Sequence, residues 1–352
     1  MKTNKLSFSV REEFDHNDKP IQTGVFSRDW ESEELSDEIM DGVEAGALEA
    51  EEAMEQLEEI IEQDPENLET YNALCSLYWE NELKPVASEF YEKAYKLASA
   101  LIPRGFKGQI PWSNLDNRAF LRVAYGRLLC LIEEENGRAA QALANKLLRW
   151  SPMDSLGVRL LMGDIKLIQF DYAGAMKHYL KYADEQPVHW YQAALIAFRD
   201  NDFVSACTYL RRGIAHNPYV AEGILGRTVF FDHLYWHSTT FGTTEAAVEY
   251  LQSWPRLWSD EEVNFVDWVF NHSSVLRERS EITKILEDSS NERDAKERDA
   301  LWYKKQSFLS NIDSTLSEKM VRPIMNRWQE EILPWDRLGH MMPAAARNEP
   351  VH

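Results

Sequence analysis

Cysteine is scarce in this chain, and nothing about its placement chelates or crosslinks. Cys75, Cys130 and Cys207 are the only three in 352 residues, and no C-x-x-C occurs. Three cysteines inside apolar helical patterns exclude a disulfide framework and fit a reducing compartment, so a cytoplasmic protein is expected. Long apolar runs are also missing: none approaches the roughly 18 residues that cross a bilayer, so no membrane association is expected. The N-terminal MKTNKLSFSVREEF has no apolar core and no cleavage site, so no secretory signal is expected either. Gly-rich phosphate loops, G-x-S-x-G elbows and H-E-x-x-H motifs are absent, which leaves the common nucleophilic and zinc-dependent chemistries without their residues. The chain therefore reads as a non-enzyme with no cofactor and no metal. His233 and His237, preceded by Asp232, do have the spacing of two ligands on one helical face. They lack a third ligand, however, and sit in the aromatic run VFFDHLYWHSTTFG (229–242), where packed histidines are common.

Basic residues are missing where acidic ones are densest. Between Glu31 and Glu69 there are 17 acidic residues and no Lys or Arg. Of the net charge of −21, residues 1–70 carry −17, residues 71–230 carry +3 and residues 231–352 carry −7. A chain this acidic is not expected on nucleic acid. Disorder throughout is excluded by the 44% apolar share, with 12 Trp, 14 Tyr and 15 Phe available for a core.

Four regions follow from the patterning. In residues 1–46, Leu6, Phe8 and Val10 alternate with polar residues as in a short strand, and HNDKP (16–20) reads as a turn. The following SRDWESEELSDEIMDG, with isolated Trp30, Leu35, Ile39 and Met40, reads as an acidic, partly flexible arm. A strong helix is expected over 47–63, where Leu48, Met54, Leu57, Ile60 and Ile61 form one stripe. Helix pairs follow at 68–81 with 84–101, 117–134 with 137–150, 155–169 with 172–184, and 188–199 with 203–215. An insert, LIPRGFKGQIPWSNLDNR, breaks their period with two Pro, two Gly and a Trp. There Trp112 is expected to plug the gap and Asp116 to cap the next helix. Residues 219–333 read as an aromatic-rich helical region, with helices at 244–252, 260–276, 280–288, 294–312 and 321–332. Ser259 with Glu262 makes a capping box for the second of these, and Pro323 sits in the first turn of the last. Residues 334–352 read as a flexible tail.

The helix pairs repeat. Tyr71, Leu74, Cys75, Tyr78, Ala87, Tyr91 and Ala94 recur in kind as Gly163, Ala175, Tyr179 and Pro187, and again as Trp190, Ala193, Ala194, Ala206, Leu210 and Pro218. The spacing brackets a 34-residue period. Small residues in this frame fall where two helices cross, and larger ones would push them apart. The second pair departs from it: Gly126, Leu129 and Ala140 fit only with two residues inserted near Glu133-Glu134-Glu135. On these residues the chain resembles the tetratricopeptide repeat (TPR) family over 48–218. IPWSNLDNRAFLR (110–122), SPMDSLGVR (151–159) and GTTEAAVEYLQSWPRLW (242–258) are similar to a group of largely uncharacterised bacterial TPR proteins. The resemblance implies an all-α, right-handed superhelical solenoid closed by a helical C-terminal cap. It also implies a concave face, made by the first helix of each pair, that holds a peptide or a partner helix.

Counted on that frame, the partner-facing residues include Asn72, Trp79, Arg127, Tyr191, Phe198 and Arg199, with Trp112, Arg118, Arg122 and Arg159 close by. The arginines alternate with aromatics and have no Glu partner at i±4, so a clamp for carboxylates is expected. The functional expectation is a non-enzymatic scaffold for a protein partner. An alternative is an acidic inhibitor, immunity protein or chaperone that covers a basic protein with residues 31–69.

Overall fold

The structure, a computed structural model, describes residues 5–14, 20–28, 33–226, 242–254 and 257–347. It is mostly helical, with two small antiparallel strand pairs among the described residues, and divides into two compact units, 1–171 and 172–352. No described helix is long and apolar enough to cross a membrane.

The first unit begins with β1 (Ser7–Phe14) paired to β2 (Pro20–Ser27), Phe8 opposite Phe26. Next come α1 (Glu33–Glu44) and α2 (Ala50–Gln63), whose Ala53, Met54, Leu57 and Ile61 are buried as the stripe requires. The described parts of the expected arm hold a hairpin segment and α1. Leu6, Phe26 and Ile39 are buried in the unit's core, and the Ser36 and Thr70 hydroxyls meet at 2.7 Å. Residues 15–19, 29–32 and 227–241, with Trp30, His233 and His237, lie outside the described residues.

Each of three helix pairs contains one helix started by a side-chain cap. Asn67 accepts from the Thr70 amide at 3.2 Å to start α3 (Leu68–Glu80), which packs on α4 (Lys84–Ser99). After the insert, α5 (Arg118–Glu133) packs on α6 (Gly137–Trp150), where Asn136 accepts from the Ala139 amide. In the second unit, α9 (Val188–Arg199) packs on α10 (Phe203–His216), where Asp202 accepts from the Ser205 amide. The stretch expected as one helix over 155–169 is a 3-10 helix, Val158–Leu161, followed by α7 (Met162–Ile168).

One local device ends α3, α5, α7 and α9. Glu82, Glu135, Phe170 and Asn201 take positive φ of 61°, 54°, 61° and 60°. The next residue's amide then reaches back five positions: Leu83 to the Tyr78 carbonyl, Asn136 to Leu131, Asp171 to Lys166 and Asp202 to Ala197. This is the Schellman closure, and it occurs here without its usual glycine.

Small residues occupy the helix contacts. Ala87, Ala140 and Ala206 are fully buried, and the Cys75 Sγ lies 3.6 Å from the Ala87 carbonyl oxygen. A Cβ on Gly126 would lie 2.2 Å from the Tyr91 ring. Ala87→Leu or Ala206→Leu should therefore cost about 1–3 kcal/mol through overpacking, read from the midpoint of urea unfolding. A parent-like midpoint in both would mean that these helix faces have room to spare.

The second unit continues with α8 (Tyr172–Tyr182), α11 (Pro218–Ile224), α12 (Thr244–Ser253), α13 (Asp260–Asn271), α14 (Ser273–Asn291), α15 (Ala295–Ser310) and α16 (Ser314–Met320). The Ser259–Glu262 capping box is present at the start of α13. The helix expected over 260–276 instead ends at Asn271, because the His272 ring accepts from the Ser274 amide and starts α14. Arg211 on α10 crosslinks the unit. Its guanidinium donates to Glu278 on α14, to the Asp313 carbonyl at 2.8 Å and to the Ser317 hydroxyl at 2.9 Å.

No helix forms over 321–332, contrary to expectation. β3 (Ile324–Met325) pairs with β4 (Glu331–Ile332) around Asn326. The buried Asn326 side chain accepts from the Trp328 and Glu330 amides at 2.9 and 3.0 Å, and Gln329 turns the chain at φ 62°. A side chain that satisfies its own backbone in this way competes with the helix. The expected tail is packed as far as it is described. Trp335 is buried, α17 (Arg337–Met341) and α18 (Ala344–Arg347) follow, and Arg347 bridges Glu330 and Asp336 at 2.7 and 3.0 Å.

Candidate functional site

The insert between α4 and α5 is tied down at both ends. Gln109 donates to the Gln22 carbonyl at 2.8 Å and accepts from the Gly24 amide at 2.7 Å, adding one rung beside β2. Gly108 permits this approach, since a Cβ there would lie 2.2 Å from the Gln22 oxygen. Ile110 donates to the Trp150 carbonyl at the end of α6. The insert then closes in a short 3-10 helix, Leu115–Asn117, capped by Asn114; Asp116 lies inside it and does not cap α5, which starts with no side-chain cap. Asn117 is fully buried. It accepts from the Phe26 amide at 2.9 Å and donates to the Gly24 and Pro111 carbonyls at 3.2 and 3.1 Å.

This framework brings four of the expected residues together. The partly buried Trp112 lies under two guanidinium groups, Arg118 at 5.1 Å and Arg122 at 5.7 Å from its ring centre. Arg118 Nε donates to the Trp112 carbonyl at 3.2 Å, and no described group takes its two terminal nitrogens. Arg122 Nη1 donates to both oxygens of Glu69 at 2.8 and 3.0 Å. Asn72 donates to Glu69 and to the Ala119 carbonyl, which fixes the wall between α3 and α5.

Beside this stack lies a cavity of about 190 Å³. Leu6, Ser27 and Arg28 line it from the hairpin segment, Glu69 from α3, and Asp116, Arg118 and Arg122 from the other side. The Arg28 side chain is buried and paired with Asp64. Guanidinium groups already stacked and hydrogen-bonded are preorganised to grip a planar anion such as a carboxylate. The volume is below the roughly 300 Å³ at which small-molecule sites begin, and suits one side chain of a partner.

The other expected residues lie elsewhere and are engaged. Arg127 is nearly buried and bonds Glu134 at 2.8 Å and Glu92 at 3.1 Å; its hydrogen bond holds the Glu134 carboxyl below the usual range. Arg159 pairs with Asp154, and Arg199 with Glu262 at 2.7 Å. The absence of Glu at i±4 thus concealed partners at i+7, at i−5 and 63 residues on. Trp79 is partly buried, with Lys84 over its ring. Tyr191 and Phe198 are core residues of the second unit, and the Tyr191 hydroxyl donates to the Asn217 carbonyl. Sequence reasoning missed Leu6, Ser27, Arg28 and Glu69 as site residues. Strand alternation announces the hairpin but not where it docks.

Among the described residues no group of His, Cys, Asp and Glu is arranged to hold a metal. Neither the protein-family models nor the curated proteins compared with the chain match it.

Proposed function

We propose that this protein is a non-catalytic, TPR-like helical scaffold that seats an acidic side chain of a partner peptide in the Trp112–Arg118–Arg122 cleft. The observation that carries this reading is the Arg118 guanidinium. It is held by its Nε and by the indole and lines the cleft, while its terminal fork has no acceptor among the described residues. Within the first unit α3 and α5 would form the concave face, and the cleft would sit at its edge beside the insert.

The test uses the partner recovered with the parent protein from the native cell and identified by mass spectrometry. Replacing Arg118 and Arg122 with Glu should weaken its binding about tenfold or more, as loss of a charge-paired contact does. The stability cost should stay well under about 1 kcal/mol, because the one ion pair lost is exposed. Unchanged affinity would overturn the assignment.

A second reading has its own support. Glu51, Glu52, Glu55, Glu58, Glu59 and Glu62 are exposed along the well-packed α2, an ordered acidic face suited to a basic protein. It prevails if Glu55→Lys with Glu59→Lys abolishes partner binding while the arginine variant does not.

A further inference from the structure

We infer that the second unit carries a separate docking face, built from Met325, Met341, Met342, Ile324 and Leu338, for an acidic amphipathic helix of another protein. These five side chains are 38–67% exposed although their backbone is tightly held. Asn326 Nδ2 donates to the Gly339 carbonyl at 2.8 Å, and Arg327 donates to the Met341 carbonyl at 3.0 Å, which brings the strand pair and α17 side by side. The Gly339 amide is capped by Asp336, and Glu330 accepts from the Ala344 amide. The apolar exposure is therefore a property of an ordered surface and not of a frayed end. Clustered exposed apolar side chains on an ordered frame mark an interaction site, and methionines suit one that adapts to its ligand.

Charge at the rim selects the partner. Arg322 and Arg327 are exposed and have no carboxylate partner among the described residues. Arg337 is taken by Asp267 at 2.5 Å, and the Glu330 and Asp336 carboxylates are taken by Arg347. Glu331 is the one exposed acid on the strand pair. In a chain of net charge −21, two unneutralised cations at this apolar centre, Arg322 two residues before Ile324 and Arg327 on the Met341 carbonyl, favour an acidic ligand. β3 and β4 have two residues each, too few to extend a sheet with a partner strand. The ligand must therefore present side chains, as a helix does along one stripe.

The probe is a fluorescent, stapled helix of about 18 residues with Leu at i, i+3, i+4 and i+7 and Glu on both flanks. A twin carries Lys in place of Glu. The full chain should bind the acidic helix saturably and the twin about tenfold more weakly. Met325→Ser with Met341→Ser, and separately Arg322→Ser with Arg327→Ser, should each weaken binding about tenfold with unchanged far-UV circular dichroism. Replacing Arg118 and Arg122 with Glu should leave it unchanged, which separates this face from the cleft of the first unit. No saturable binding, equal binding of the twin, or full affinity in the methionine variant would each overturn the inference.

Discussion

Asn117→Ala should lower the stability of the first unit by about 3 kcal/mol, seen as a downward shift of its urea midpoint. One fully buried amide accepts from the Phe26 backbone and donates to the Gly24 and Pro111 carbonyls. Truncation removes three bonds and takes this partner from the Phe26 amide and the Gly24 carbonyl, each worth about 1–3 kcal/mol when buried, while the Pro111 carbonyl keeps the Asn114 amide at 3.2 Å. Part of that is recovered where a segment shifts to reach water. The loss falls first on the hairpin, so the Phe26 amide should exchange hydrogen faster than those of α3. Asn117→Asp keeps the acceptor but aims a carboxylate at two carbonyl oxygens, and should be no better. A parent-like midpoint for Asn117→Ala would mean that the Gln109 rung and the Phe8–Phe26–Phe120 ring contacts suffice to hold the hairpin.

Arg211→Met should be more damaging, costing about 3–5 kcal/mol in the second unit, because it strands the Glu278 carboxylate in a largely buried site, while the Ser317 hydroxyl keeps the Thr208 hydroxyl at 2.9 Å. Glu278 retains some exposure, which places the expectation at the lower end of that range. Adding Glu278→Leu to Arg211→Met should recover much of the loss, since an apolar replacement of both partners removes the desolvated charges together. A double-mutant cycle on the two sites checks this, and additive losses would rule out the pairing as the origin.

What the sequence discloses and conceals divides along contact range. The helix pairs are legible because their signals are local: Ala87 and Ala206 on the crossing faces, Pro218 at the next start. The strand alternation of residues 6–10 is legible for the same reason. The docking of that hairpin is not, since it depends on Asn117, 91 residues from Phe26. The cleft inherits this limit, because Leu6, Ser27 and Arg28 reach it only through the docking. Residues 324–332 mislead differently: their apolar spacing suits a helix, yet the short-range appetite of the Asn326 side chain for amide protons turns the chain back. The arginines of α5, α9 and the 3-10 helix mislead because their carboxylates arrive from turns and from other helices.

The three cysteines give the molecule a built-in clock for each half. Cys75 and Cys130 are sealed in the first unit and Cys207 in the second, and burial pushes the Cys130 and Cys207 thiols up to about 11. A thiol in that state does not react with an alkylating reagent until the surrounding helices part. Modification rates, resolved residue by residue by mass spectrometry, thus time the opening of the two units separately in one unlabelled, unmutated chain.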